Sequence, residues 1–447
     1  MSDDIRRSIQ QVQPSVRADL DALIRIPSVS SDPAGIGQVR RSAALTAHLF
    51  RAAGATELDV IEDIKGGQPA VIARFPAPSG APTVLLYAHH DVQPPGDPTK
   101  WSSPPFQPTV RNGRLYGRGS ADDKAGIAAH LAAVRAYRGR PPVGVVVFVE
   151  GEEEVGSPTL GALLERHRER LAADVIVLAD SENPILGVPA FTTTLRGVTS
   201  CVVELRALRH DVHSGGFGGA APDALTALCR LLATLHDDVG TVAVDGLVTA
   251  QPPLTDYPEQ QFRTEAGVLD GGALLGTGSI AERVWTKPAA TVLAIDATPV
   301  DRASNTLAAT ARARVSLRLA PGDDPHRAQA ALARHLRDHA PWGTQVTVSP
   351  GGDAGQPFAV DTRGPAFEAA RRAFREAYGE AVVEIGSGGT IPFVAQFAAT
   401  FPAAAILVTS AGGDPDSRAH GIDESLDLRE FERACLAEAL LLAELAK

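Results

Sequence analysis

Short, almost wholly apolar runs punctuate the first half of the chain, with amphipathic stretches between them. "APTVLLYA" (81–88), "VGVVVFVE" (143–150) and "DVIVLAD" (174–180) have the continuous apolar character of strands buried on both faces. "RRSAALTAHLFRAAG" (40–54), "DKAGIAAHLAAVRAYR" (123–138) and "LGALLERHRERLA" (160–172) space their apolar residues as helices do. The alternation predicts a mostly parallel sheet covered by helices on both sides. After "TLRG" (194–197) the pattern changes. "VTSCVVELRAL" and "TLAATARARVSLRLAP" alternate polar and apolar positions, as half-exposed strands do. With "ATVLAID", "TQVTVSP" and the helical stretches 222–236 and 324–340, the order is β-α-β-β-α-β, the ferredoxin-like plan. A Pro/Gly-rich excursion, 238–290, interrupts it. Helix–strand alternation then returns with "GPAFEAARRAFREAYG" and "AAAILVTS". The expected architecture is α/β: an αβα domain (1–196 and 358–447) interrupted by a smaller ferredoxin-like α/β domain (197–357).

Composition narrows the function classes. The 447 residues suffice for two or three domains, and the 44% hydrophobic content is that of a soluble globular protein. Lys+Arg is 42 against Asp+Glu 53, a net charge of −11, which argues against nucleic acid or an anionic membrane as partner. No apolar stretch is long enough to span a bilayer, and the polar start "MSDDIRRSIQ" lacks a secretory pattern. Cys201, Cys229 and Cys435 lie far apart. They are expected to be buried, reduced thiols of a cytoplasmic protein.

Candidate chemistry gathers where core strands end. His89 follows "VLLYA", the cluster "EGEEEVGS" follows "VVVFV", Asp180 follows "VIVLA", and His420 follows "AILVTS" after a loop. In open α/β sheets sites form beyond the carboxyl ends of the strands. Asp122, before the helix at 123–138, is a fifth candidate. Two histidines with several carboxylates suit zinc or a similar ion, and their number suits two ions better than one.

The motifs "YAHHDVQP", "LYGRGSADDKAG", "EGEEEVGS", "LADSE", "HSGGFGG" and "RAHGIDE" occur in this order. Nearly the whole chain thereby resembles the zinc-dependent aminoacylase/carnosinase/dipeptidase family. That family also holds acetylornithine deacetylase, succinyl-diaminopimelate desuccinylase and glutamate carboxypeptidases. The resemblance implies two Zn2+ per subunit, with Mn2+ or Co2+ as alternatives. His89 and Asp180 would hold one ion, Glu154 and His420 the other, with Asp122 bridging both and followed by a non-proline cis peptide. Asp91 would orient His89; His90 breaks the His-x-Asp spacing. Glu153 would be the general base acting on a metal-bridging hydroxide. In the inserted lid and dimerisation domain, His213 would reach the partner subunit's active site in a homodimer. Asn305, Arg318 and Thr390 would contact substrate, Arg318 through its carboxylate.

The resemblance implies cleavage of dipeptides or short peptides; the alternative is an N-acyl-amino-acid deacylase, desuccinylase or glutamate carboxypeptidase. The long excursion and "EGEEEVGS" favour the dipeptidase branch. Departures from the family pattern are Ala88, Ala125 and Ala308, and Gly364 where carnosinase-like relatives carry His. Glu150 and Glu152 have no assigned chemistry and are expected to find solvent or polar partners. Lys124, one of only five lysines in an arginine-rich chain, stands out beside the bridging aspartate.

Overall fold

The computed structural model describes residues 2–389 and 391–447. Two compact units emerge: Met1–Thr193 with Asp361–Ile385 and Pro392–Lys447, and Thr194–Val360 with Gly386–Ile391.

The first unit is built on a mixed sheet. Its main strands are β1 (Glu57–Ile61), β2 (Ala70–Phe75), β3 (Thr83–His89), β4 (Gly144–Glu150), β5 (Val175–Glu182), β6 (Ala190–Leu195) and β7 (Ala405–Gly413). They lie in the order β1-β2-β4-β3-β5-β7-β6. The four central strands β4, β3, β5 and β7 are parallel, as the continuous apolar runs require. The sheet was expected to be mostly parallel; its centre is, while β1, β2 and β6 at the flanks join antiparallel. "AVIARF" of β2 is nearly all buried, so its apolar content cannot reveal its direction.

The unit also contains helices α1 (Ser2–Ile24), α2 (Ile36–Ala52), α3 (Lys124–Ala136), α4 (Pro365–Tyr378) and α5 (Leu428–Leu445). α3 packs on β3 and between α1 and α5. Asp123 and Asp427 cap α3 and α5 by accepting from backbone N–H groups of the first turn. Tyr87 of β3 meets Phe393 and Phe397 of helix Pro392–Thr400, with ring centroids 4.6 and 5.4 Å away. Each fully buried aromatic or aliphatic side chain contributes about 1.5–3 kcal/mol.

The second unit carries a four-stranded antiparallel sheet in the order Ala289–Asp296, Thr310–Leu319, Gly197–Arg206, Gln345–Gly355. In chain order this is 2-3-1-4, the strand arrangement of a β-α-β-β-α-β plan. Helices Ala224–Ala233 and Pro325–Asp338 cover one face, closing a core of Val203, Leu205, Leu228, Val315, Leu317 and Leu332. The edge strand Ala289–Asp296 leaves Val292, Leu293 and Ile295 exposed. Within the excursion lie a short helix, Glu259–Glu265, and a helical turn, Glu282–Thr286. Cys201 and Cys435 are buried as expected, but Cys229 is exposed, because it falls on the outer side of helix Ala224–Ala233.

Candidate metal centre

Each donor is placed by the end of a central strand or by a turn beside it. β3 ends at His89 and β4 at Glu150. The chain then tightens into a helical turn, Glu153–Val155, so adjacent glutamates no longer alternate sides as on a strand. Asp91 fixes that turn: its carboxylate accepts from Glu153 N at 3.3 Å and Glu154 N at 3.1 Å. The same carboxylate lies 3.3 Å from His89 Nδ1. It therefore orients the imidazole and the glutamate pair together. Asp122 precedes α3, and the Asp122–Asp123 peptide is cis.

These residues converge. Asp122 lies between the two histidines, with Oδ1 2.9 Å from His89 Nε2 and Oδ2 2.9 Å from His420 Nε2. Glu154 Oε2 lies 3.1 Å from His420 Nε2. Glu153 and Asp180 each approach His89 Nε2 to 4.0 Å. His89, Asp122 and Glu154 bring ligand atoms within 4.8 Å of one another, and so do His89, Asp123 and Asp180.

The electrostatics show an unbalanced cluster. Asp122 is held well below the usual carboxylate range: burial raises it, but the bonds from His420 and His89 outweigh that. Burial pushes Asp180 up to about 7, with the Asp122 and Glu154 charges adding to it against His89. Glu153 is raised well above its ordinary value, first by burial, then by Asp180, Asp122 and Glu154, against His89. Two imidazoles do not offset this many carboxylates. A divalent cation would, and imidazole nitrogen with carboxylate oxygen is a donor set suited to zinc, manganese or cobalt. The residues fit such ions.

The other candidates sort as follows. His90 turns away from the cluster: its Nε2 lies 2.8 Å from the Pro69 carbonyl, and burial draws its pKa down to about 4. Glu150 and Glu152 are buried rather than solvated. Glu150 accepts from Tyr87 Oη at 2.8 Å; Glu152 accepts from Thr159 N and Oγ1 and from Gln68 N. Lys124 is buried, donates to the Leu23 and Ile26 carbonyls at 2.9 and 2.7 Å, and so ties the end of α1 to α3. In the second unit, His213 and Asn305 are neighbours. His213 pairs with Thr306 across a short antiparallel bridge, and Ser214 N donates to Asn305 O at 2.9 Å. Both are exposed. Arg318 lies on strand Thr310–Leu319, opposite Ala289 and Val198. Thr390 lies outside the described residues.

Four residues escaped the reading of the sequence. Asp123 faces His89 and Asp180. Gln93 donates from Nε2 to Glu154 Oε2 at 2.8 Å and from N to Oε1 at 3.0 Å. Arg118 and Glu424 form a buried ion pair at 2.6 Å. All four fall inside the quoted motifs, but no local spacing distinguishes them.

A mixed α/β sheet whose strand ends present two overlapping imidazole–carboxylate groups is the framework of a metal-binding protein. Residues 85–444 match the peptidase family M20/M25/M40. The chain belongs to this family of metallopeptidases. It is 38% identical over 374 residues to the cysteinylglycine-S-conjugate dipeptidase of Corynebacterium striatum, covering 82% of each chain. It is 26% identical over 462 residues to a Cys-Gly metallodipeptidase of Candida albicans, covering 96% of this chain and 94% of the relative. Human carnosine dipeptidase 1 has a similar structure, with a TM-score of 0.79 at 25% identity, covering 100% of this chain and 98% of that one. Among the described residues, no helix is long and apolar enough to cross a membrane.

Proposed function

We propose that the protein hydrolyses the peptide bond of dipeptides at a two-metal centre, with Glu153 as general base. The observation that carries this reading is the Asp122 carboxylate, which presents one oxygen to His89 and the other to His420, both at 2.9 Å. His89, Asp122 and Asp180 would hold one ion, and Asp122, Glu154 and His420 the other, with zinc the first choice. When bound, the ions supply the Lewis acidity that polarises a scissile carbonyl and acidifies water. Glu153, desolvated and with Oε2 4.0 Å from His89 Nε2, takes a proton from the attacking water. As the C–N bond breaks, it returns that proton to the leaving amine. Asp91 keeps His89 in one orientation through Nδ1.

Arg318 offers a planar fork suited to the substrate carboxylate, and Asn305 and Thr390 complete the contacts to substrate. His213 serves the active site of a second copy, as an oxyanion-stabilising donor. Its exposure supports this role, as does the exposed apolar edge strand Ala289–Asp296, which suits a homodimer joined through the second unit. Three cysteines without a disulfide suit a cytoplasmic setting. The dipeptidase relatives support dipeptides over N-acyl amino acids as substrates. Metal analysis combined with a panel of dipeptides, N-acyl amino acids and succinyl-diaminopimelate tests the reading. The expected result is two ions per chain and a requirement for a free substrate amino group. A zinc-loaded protein inactive on the whole panel overturns it.

A further inference from the structure

Glu424 is wholly buried, and its carboxylate is saturated by one short segment. Oε2 accepts from Gly119 N at 3.0 Å; Oε1 accepts from Ala121 N at 2.9 Å and Asp122 N at 3.2 Å. That segment delivers the Asp122 carboxylate. The Glu424 charge therefore sits beside the Asp122 charge, an arrangement that is costly in a buried site without a cation. Arg118, 1% exposed, supplies that cation through Nη1 at 2.6 Å. Its Nη2 reaches two further places: the carbonyl of Gly421 at 3.0 Å, one residue beyond His420, and that of Pro94 at 3.4 Å, one residue beyond the Gln93 that holds Glu154. One ion pair thus ties the segment that presents Asp122 to the one that presents His420, and reaches the Gln93–Pro94 segment whose Gln93 holds Glu154. His89 and Asp180 are placed otherwise, by the ladders of β3 and β5.

We infer that Glu424 and Arg118 are positioning residues for one half of the centre, the Asp122–Glu154–His420 half, and set its hold on an ion separately from the other half. The inference rests on the two-ion reading above. Asp122 is shared, but the His89 half keeps His89 and Asp180 on rigid strands when the pair is broken. The other half loses the tie between the Asp122 and His420 segments, and with it the brace behind Gln93 and Glu154. Glu424→Gln keeps the size of the side chain, turns an amide N–H₂ toward backbone N–H donors and leaves Arg118 without its counter-charge. Arg118→Lys keeps the charge but replaces the fork with a single ammonium, which cannot span the same acceptors.

The test is zinc release from the full-length holoprotein to a chromophoric chelator, together with zinc content and steady-state kinetics on a dipeptide. In Glu424→Gln, one ion is expected to be held about 10–100-fold more weakly, the cost typical of losing a residue that orients metal ligands, while the other keeps its wild-type rate. kcat falls with it, and KM changes little. Arg118→Lys moves the same ion in the same direction, and it decides the matter should Glu424→Gln fail to fold. Combined with His420→Ala, Glu424→Gln produces no further loss, because both act on one ion. Glu438→Gln breaks an unrelated buried pair, His130 Nδ1–Glu438 at 2.8 Å, and serves as the control. It lowers thermal stability and leaves both release rates unchanged. Wild-type rates for both ions in Glu424→Gln and Arg118→Lys, or equal weakening of the two, overturns the inference. A wild-type protein that holds other than two ions overturns the two-ion reading itself.

Discussion

Glu150 ends β4 at 2% exposure, with one oxygen accepting from Tyr87 Oη and the other unpartnered among the described residues. Burial pushes its pKa up to about 8 from an ordinary 4.5, so the folded protein keeps this carboxyl protonated at neutral pH. The unfolded chain ionises it above pH 4.5. A group raised on folding contributes stability in full below its unfolded value and loses that contribution as pH climbs toward its folded value. At 1.36 kcal/mol per pH unit, the loss at pH 7 is about 3 kcal/mol, from a gap of 7 − 4.5 pH units. Glu150→Gln has no proton to give up and still accepts from Tyr87. Its stability should match wild type near pH 4.5 and exceed it by about 3 kcal/mol at pH 7. The assay is urea unfolding of the zinc-loaded protein, wild type and variant, at half-unit steps from pH 4.5 to pH 8. Running both with the same zinc excess cancels the pH dependence of metal binding. Parallel profiles with a constant offset would refute the reasoning, because they would mean that Glu150 does not change its protonation on folding.

Glu153→Ala should keep both ions by metal analysis and lose about 10²–10⁴-fold in kcat on a dipeptide, the range for removing a general base. His213→Ala should lower kcat without changing zinc content; mixing it with Glu153→Ala should restore activity, since each protomer would supply what the other lacks. A fully active monomer on size-exclusion chromatography rules that role out. Phe397→Ala removes a fully buried ring that packs on Tyr87 and Phe148, and should cost about 3–5 kcal/mol in chemical denaturation.

The central sheet and its candidate ligands were legible because both are local patterns. An apolar run specifies a buried strand, and a short motif at its end carries the donor, as with His89 after "VLLYA". The second unit was legible for the same reason, since alternation marks each half-exposed strand. What stayed hidden is set by distant partners. Arg118 finds Glu424 across 306 positions, and nothing near either residue announces the other. Strand direction at the flanks was hidden too, because β2 is apolar whichever way it runs. The four glutamates of "EGEEEVGS" looked alike in sequence. The backbone separates them: Glu150 remains on the strand beneath Tyr87, Glu152 turns back to Thr159 and Gln68, and only Glu153 and Glu154 reach the cluster.

Asp122 joins an imidazole from early in the chain to one from late in it, and the residues of the second unit come between. As a ribosome releases the chain, His89, Asp122, Glu154 and Asp180 emerge within about a hundred residues of one another, long before His420. His420 arrives only after the whole inserted unit has been synthesised. The cluster can therefore have all its donors only once the inserted unit has been made.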